Sequence, residues 1–130
     1  MDVSFNWLAV ALAALSSFVI GGLWYSVVFA RPWQRAAGVT DEQLKHGTAR
    51  VFIGSAILAI VMAISLAVFI GSNGPGFGTF AGFATGSTFV AAAFGVNYLF
   101  ERRSLVLFAI NGSYNVVSFT VMGAIIGLLQ

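Results

Sequence analysis

The chain has 130 residues, of which 59% are hydrophobic and 8% charged, with a net charge of +2. Soluble domains average about 25% charged residues, so the composition excludes an ordinary water-soluble fold. The charge is too small to argue for nucleic acid as a partner, and the absence of cysteine excludes disulfide and thiolate chemistry.

Four apolar segments follow one another, at about 5–29, 51–71, 76–99 and 105–129, and none contains a charged residue or histidine. Each exceeds the roughly 20 residues that cross a bilayer core of about 30 Å. The fold class expected is therefore all-α: an integral membrane bundle of four transmembrane helices in one domain, residues 1–130. The N-terminus carries no basic stretch ahead of its apolar run, so the first segment is expected to be a retained helix.

Small residues recur every fourth position in each segment. Helix 1 has Ala9, Ala13, Ser17 and Gly21, and helix 2 has Ser55, Ala59, Ala63, Ala67 and Gly71. Helix 3 opens GPGFGTFAGFATG, with Gly74, Gly78, Gly82 and Gly86 on one slowly drifting ridge and Phe77, Phe80, Phe83 and Phe94 on roughly the opposite face. Helix 4 has Gly123 and Gly127, with Thr120 and Ala124 alongside. In lipid, burying apolar side chains gains little, and helices associate by close approach over small residues. The ridges therefore predict a tight bundle, with the rest of the chain packed against helix 3.

All six basic residues lie in two loops, 30–50 and 100–104: Arg31, Arg35, Lys45, Arg50, Arg102 and Arg103. The turn 72–75 has none. Basic loops stay in the cytoplasm, so both termini are expected outside, in a bacterial inner (plasma) membrane. Trp24, Tyr25 and Trp33 at the inner end, and Trp7 at the outer end, fit interfacial anchors. In the long loop, Pro32 is expected to stop or kink helix 1. Thr40 and Gln43 have capping-box spacing ahead of a short turn through Asp41, Glu42, Leu44 and Lys45. His46 stands alone, with no second ligand for a metal, and reads as a solvated side chain.

Helix 4 is the most polar segment. Asn111, Asn115 and Ser118 share a narrow arc, with Tyr114 at its edge, whereas Ser113, Thr120 and Gly127 lie nearly opposite. One reading makes Asn111 and Asn115 the lining of a ligand or ion path. The other makes them hydrogen-bond partners of neighbouring helices, with Asn97 on helix 3 as a further interface residue. The two faces together suggest that one serves the bundle and the other a second copy of the chain. Gly22-x-x-Tyr25 and Gly95-x-x-Tyr98 stand in matching positions before the two basic loops. Catalysis has little material: no catalytic residue, cofactor or metal is expected. The helices hold no acid, base or histidine for proton work, and no base for a serine nucleophile.

Several motifs carry a resemblance. Asn6-Trp7-Leu8-Ala9-Val10, Gly22-Leu23-Trp24-Tyr25-Ser26 and Pro32-Trp33 resemble the opening of the membrane family catalogued as domain of unknown function 1761. Thr40 to Lys45, Asn97 to Arg102, Ile110 to Tyr114 and Met122 to Gly127 resemble its later parts. The resemblance implies a small four-helix membrane protein and no assigned activity. Two positions depart from the family pattern: Val27 stands where a proline tends to follow Trp-Tyr-Ser, and Asn115 where a histidine often follows the helix 4 tyrosine. A second, local resemblance links Gly82 to Phe89 with the third helix of small fluoride channels, which work as dimers; their first-helix arginine is missing here. Two functions compete. One is a structural or accessory membrane component, acting as a homo-oligomer or within a larger membrane complex. The other is a small oligomeric channel or transporter with its polar path on helix 4.

Overall fold

The structure, a computed structural model, describes residues 5–130. Among them four helices are long and apolar enough to cross a membrane: helix 1 (Trp7–Val28), helix 2 (Thr48–Ile70), helix 3 (Gly74–Glu101) and helix 4 (Leu105–Leu129). No strand occurs among the described residues. Three of the four helix starts have a local cause in a side chain. Asn6 caps helix 1, its side chain accepting from the backbone of Leu8 and Ala9. Pro75 opens helix 3, where its missing N–H costs nothing. Ser104 caps helix 4 by accepting from Leu107.

Helices 1 and 3 each contain a wide π turn, at Trp24–Val28 and Thr85–Ala91. Such turns re-aim the side chains that follow. Helix 1 then breaks at Phe29, so Pro32 does not end it. Pro32 instead sits in the first turn of a separate loop helix, Ala30–Ala37, where proline is tolerated. The capping box at Thr40 and Gln43 is formed, and it opens a single turn, Asp41–Leu44. Gly47, at φ +70°, separates that turn from helix 2.

Helix 4 is the hub, with helix 1 on one side and helix 3 on the other. Its pairing with helix 3 is backbone on backbone. A Cβ placed on Gly78 or Gly82 would run into the carbonyl oxygens of Gly123 and Phe119, and one on Gly123 into that of Gly78. Gly74 and Pro75 lie as close to Gly127, and Gly86 to Asn115 and Val116. The six glycines expected to pack thus form a single seam. This places the Gly123–Gly127 strip against helix 3 of the same chain and not, as its small residues suggested, open to a second copy. The expected centre also moves from helix 3 to helix 4, because helix 4 is lined with small or polar groups on two sides.

Helix 2 lies against helix 1. Ala9 and Ala13 are buried in one core with Ala59, Ala63, Ala67, Leu66, Ile70, Met122 and Ile126, and Ser17 is buried as well. The outer faces are apolar throughout: Phe69, Phe80 and Phe89 are each more than two-thirds exposed. In water such a surface would be a large hydrophobic patch, whereas in lipid it is solvated.

Candidate functional site

The polar residues of helix 4 converge on the end of the bundle that carries the basic loops. Asn111 is the centre. Its amide nitrogen donates to the hydroxyl of Tyr98 on helix 3, and its carbonyl oxygen accepts from the hydroxyl of Tyr25 on helix 1, both at 2.6 Å. One carboxamide therefore joins three helices, using its donor and its acceptor on opposite sides. Trp24 adds a second tie between helices 1 and 4, its indole N–H donating to the carbonyl of Ile110 at 3.0 Å. Tyr114 adds a third, its hydroxyl donating to the carbonyl of Ser17 at 3.1 Å and its ring filling the space beside Gly21.

The rings stack as well as bond. Tyr25 meets Tyr114 and Trp33 edge-on, with centroids 5.3 Å apart in each case. Trp33 belongs to the loop helix, so this aromatic column fixes that helix beneath the bundle. The π turn at Trp24–Val28 falls where Trp24 and Tyr25 must both face helix 4, two consecutive residues that a regular helix would aim about 100° apart.

The expected site residues fare differently. Asn111 and Tyr114 are in the network. Asn115 lies one turn on, and its amide nitrogen donates back to the Asn111 carbonyl at 2.8 Å. Ser118 is buried, at 2% exposure. Asn97 is exposed on helix 3 and takes no part, because it is Tyr98, the next residue, that faces helix 4. Trp24 and Tyr25, read as membrane anchors, are half-buried and spend their polar tips on helix 4; Trp33 is half-buried against Tyr25. Trp7 alone of the four keeps an exposed position, stacked on Phe5.

The hydroxyls of helix 3 that resemble a channel helix turn back on their own chain. Thr85, Ser87 and Thr88 donate to the carbonyls of Ala81, Phe83 and Ala84. No buried side-chain nitrogen or oxygen among the described residues lacks a partner. His46 is exposed in the loop, 3.3 Å from Glu42.

At the opposite end lies a clasp that the sequence reading missed. The amide nitrogen of Gln130 donates to the carbonyls of Ala67 and Gly71, and its oxygen accepts from the backbone N–H of Asn6. The Asn6 side chain in turn donates to the carbonyl of Leu129 at 2.8 Å. Two amide side chains thus bond carbonyls at the ends of helices 2 and 4, adding a second donor to Ala67, which already accepts from the backbone N–H of Gly71. The only signal for it was a polar residue at each edge of an apolar segment.

Comparison with curated proteins and with solved structures gave no match. The family described as "Protein of unknown function (DUF1761)" matches residues 8–127, a stretch that takes in the four helices except Trp7, Leu128 and Leu129, together with the loop helix and every member of the tyrosine–asparagine network. The chain belongs to that family.

Proposed function

We propose that the protein is a non-catalytic structural or accessory membrane component, acting through assembly as a homo-oligomer or within a larger membrane complex. The observation that carries this reading is the use made of the polar face of helix 4. A conducting or substrate path needs polar groups with free valence facing water. Here Asn111 is bracketed by Tyr25 and Tyr98, Tyr114 is bonded to Ser17, and Asn115 commits its amide nitrogen to its own helix. Such groups hold helices together, at about 0.6 kcal/mol each on average and up to about 1.7.

Assembly then has to use the outer faces, since the small-residue strip of helix 4 is covered by helix 3. Orientation follows the basic loops, with both termini outside a bacterial plasma membrane.

The test is the mass of the particle extracted in mild detergent, read with a flux assay in proteoliposomes. A mass at least twice the 13.7 kDa of one chain, without solute flux, is expected. A monomer free of partners would overturn the assembly reading. Selective flux that Asn111→Leu abolishes would establish the channel reading instead.

A further inference from the structure

The loop helix Ala30–Ala37 divides its residues sharply. Trp33 turns into the bundle against Tyr25, whereas Arg31, Gln34 and Arg35 share the opposite side. Together with Val39, Thr40 and Asp41 these three line a cleft of about 400 Å³. Arg31 is held at its edge by Asp41, 3.6 Å away, and Gln34 donates to the same carboxylate at 2.9 Å. Arg35 lies one turn on from Arg31, is exposed, and makes no ion pair among the described residues. The end of the bundle where the cleft sits is basic overall, with six Lys and Arg residues facing three acidic ones.

We infer that this cleft binds the phosphate of an anionic phospholipid headgroup. Three observations converge. First, the loop helix is anchored directly beneath the membrane-spanning bundle by Trp33, and its far end is tied to the other basic loop by Arg103, which donates to the carbonyl of Ala37 at 3.3 Å. This puts the cleft at headgroup depth. Second, guanidinium groups spaced one turn apart match a phosphate better than ammonium groups do, because each offers a planar fork of donors. Third, the cleft is mixed in character. Val39 and the aliphatic stems of the arginines can follow the glycerol region while the guanidiniums meet the phosphate. Asp41 offsets one of the two positive charges of the cleft and orients Arg31 and Gln34, so the net positive charge left is that of Arg35.

The experiment titrates detergent-purified full-length protein with phosphatidylglycerol, with phosphatidylcholine and with inorganic phosphate, following Trp fluorescence and native mass. Phosphatidylglycerol is expected to bind, phosphatidylcholine to bind about tenfold more weakly, and inorganic phosphate not to compete at millimolar concentration. Arg35→Gln should weaken phosphatidylglycerol about tenfold, and Arg35→Lys should recover only part of the loss. Arg50→Gln, on the first turn of helix 2, should leave binding unchanged. Equal loss in Arg50→Gln and Arg35→Gln would mean diffuse attraction and would overturn the cleft. So would equal binding of the two lipids. Competition by inorganic phosphate would mark a soluble anion as the ligand, against the lipid assignment.

Discussion

Asn111 shows how much depends on one carboxamide placed between two phenols. Replacing it by leucine removes both hydrogen bonds and strands the hydroxyls of Tyr25 and Tyr98 in an apolar setting. The expected cost is about 1–3 kcal/mol, seen as a lower midpoint of thermal unfolding in detergent. Asn97→Leu, on the exposed side of helix 3, should change the midpoint little. A double-mutant cycle pairing Asn111→Ala with Tyr25→Phe should show coupling; strict additivity would mean that the 2.6 Å contact contributes nothing. Sequence alone could put Asn111 on the polar face of helix 4, with Asn115 and Ser118, because that face is visible in the spacing. It could not name Tyr98 over Asn97, since a shift of one residue on a helix is a shift of about 100° and hydropathy does not fix that angle. The matching Gly22-x-x-Tyr25 and Gly95-x-x-Tyr98 patterns did carry the signal: their two tyrosines are the two phenols that grip Asn111.

Among the elements, the seam between helices 3 and 4 makes the sharpest forecast. Gly78→Ala and Gly82→Ala should destabilise strongly, because the added methyl meets a rigid carbonyl and the helices must part. Gly54→Ala in helix 2 has open space around it and should be neutral or raise the midpoint, since alanine favours a helix by about 1 kcal/mol over glycine. If all three behaved alike in thermal unfolding, the close approach would be refuted. Phe80→Leu, on the exposed face, should be tolerated. The ridge was legible from its four-residue period, but its partner was not, because Gly123 and Gly127 looked equally suited to a second copy. The π turns were invisible, since widening a turn leaves composition and hydropathy unchanged. The loop helix makes a forecast about acid. Gln34, first, and then Arg31 hold the Asp41 carboxyl below the ordinary aspartate range. A depressed folded pKa adds stability that is complete above the unfolded value and is lost as pH falls through the folded one. Hydrogen-exchange protection factors in residues 34–41 should therefore hold from neutral pH down to about 4 and fall only below that, and Asp41→Asn should abolish this acid step.

For the molecule as a whole, the alternation of ends is fixed by contacts and not by charge alone. Asn6, Gly71 and Gln130 meet at one end, and Ala37 meets Arg103 at the other. Cysteines at 42 and 102 should therefore label from one side of the membrane and a cysteine at 73 from the other, and the orientation proposed from the basic loops makes 73 the outward one. Protection of 73 from an impermeant reagent while 42 and 102 react would reverse the orientation. A further probe at position 2 falls outside the described residues. The apolar lengths made the four spans legible to within a few residues. What they hid was the order of packing, in which helix 4 lies between helices 1 and 3 and so has two inward faces. That arrangement accounts for the two small or polar sides of helix 4 without a second chain.

The hub position of helix 4 also sets a timetable for synthesis. It is the last of the four to leave the ribosome, yet helix 3 finds its glycine partners on it, and Trp24, Tyr25 and Tyr114 form their interhelical bonds only through it. Helices 1 and 2 can pair over their alanines as soon as both are inserted. Helix 3 must wait in lipid with its glycine seam uncovered until some 25 further residues have followed, one to five seconds at ordinary elongation rates of about 5–20 residues per second. A chain that stops near Ser104 would remain in that waiting state, with a bare backbone groove open to any helix nearby. Quality-control proteases that survey the membrane would meet it as an orphan, so such a truncation should be cleared quickly even though three of its four helices are intact.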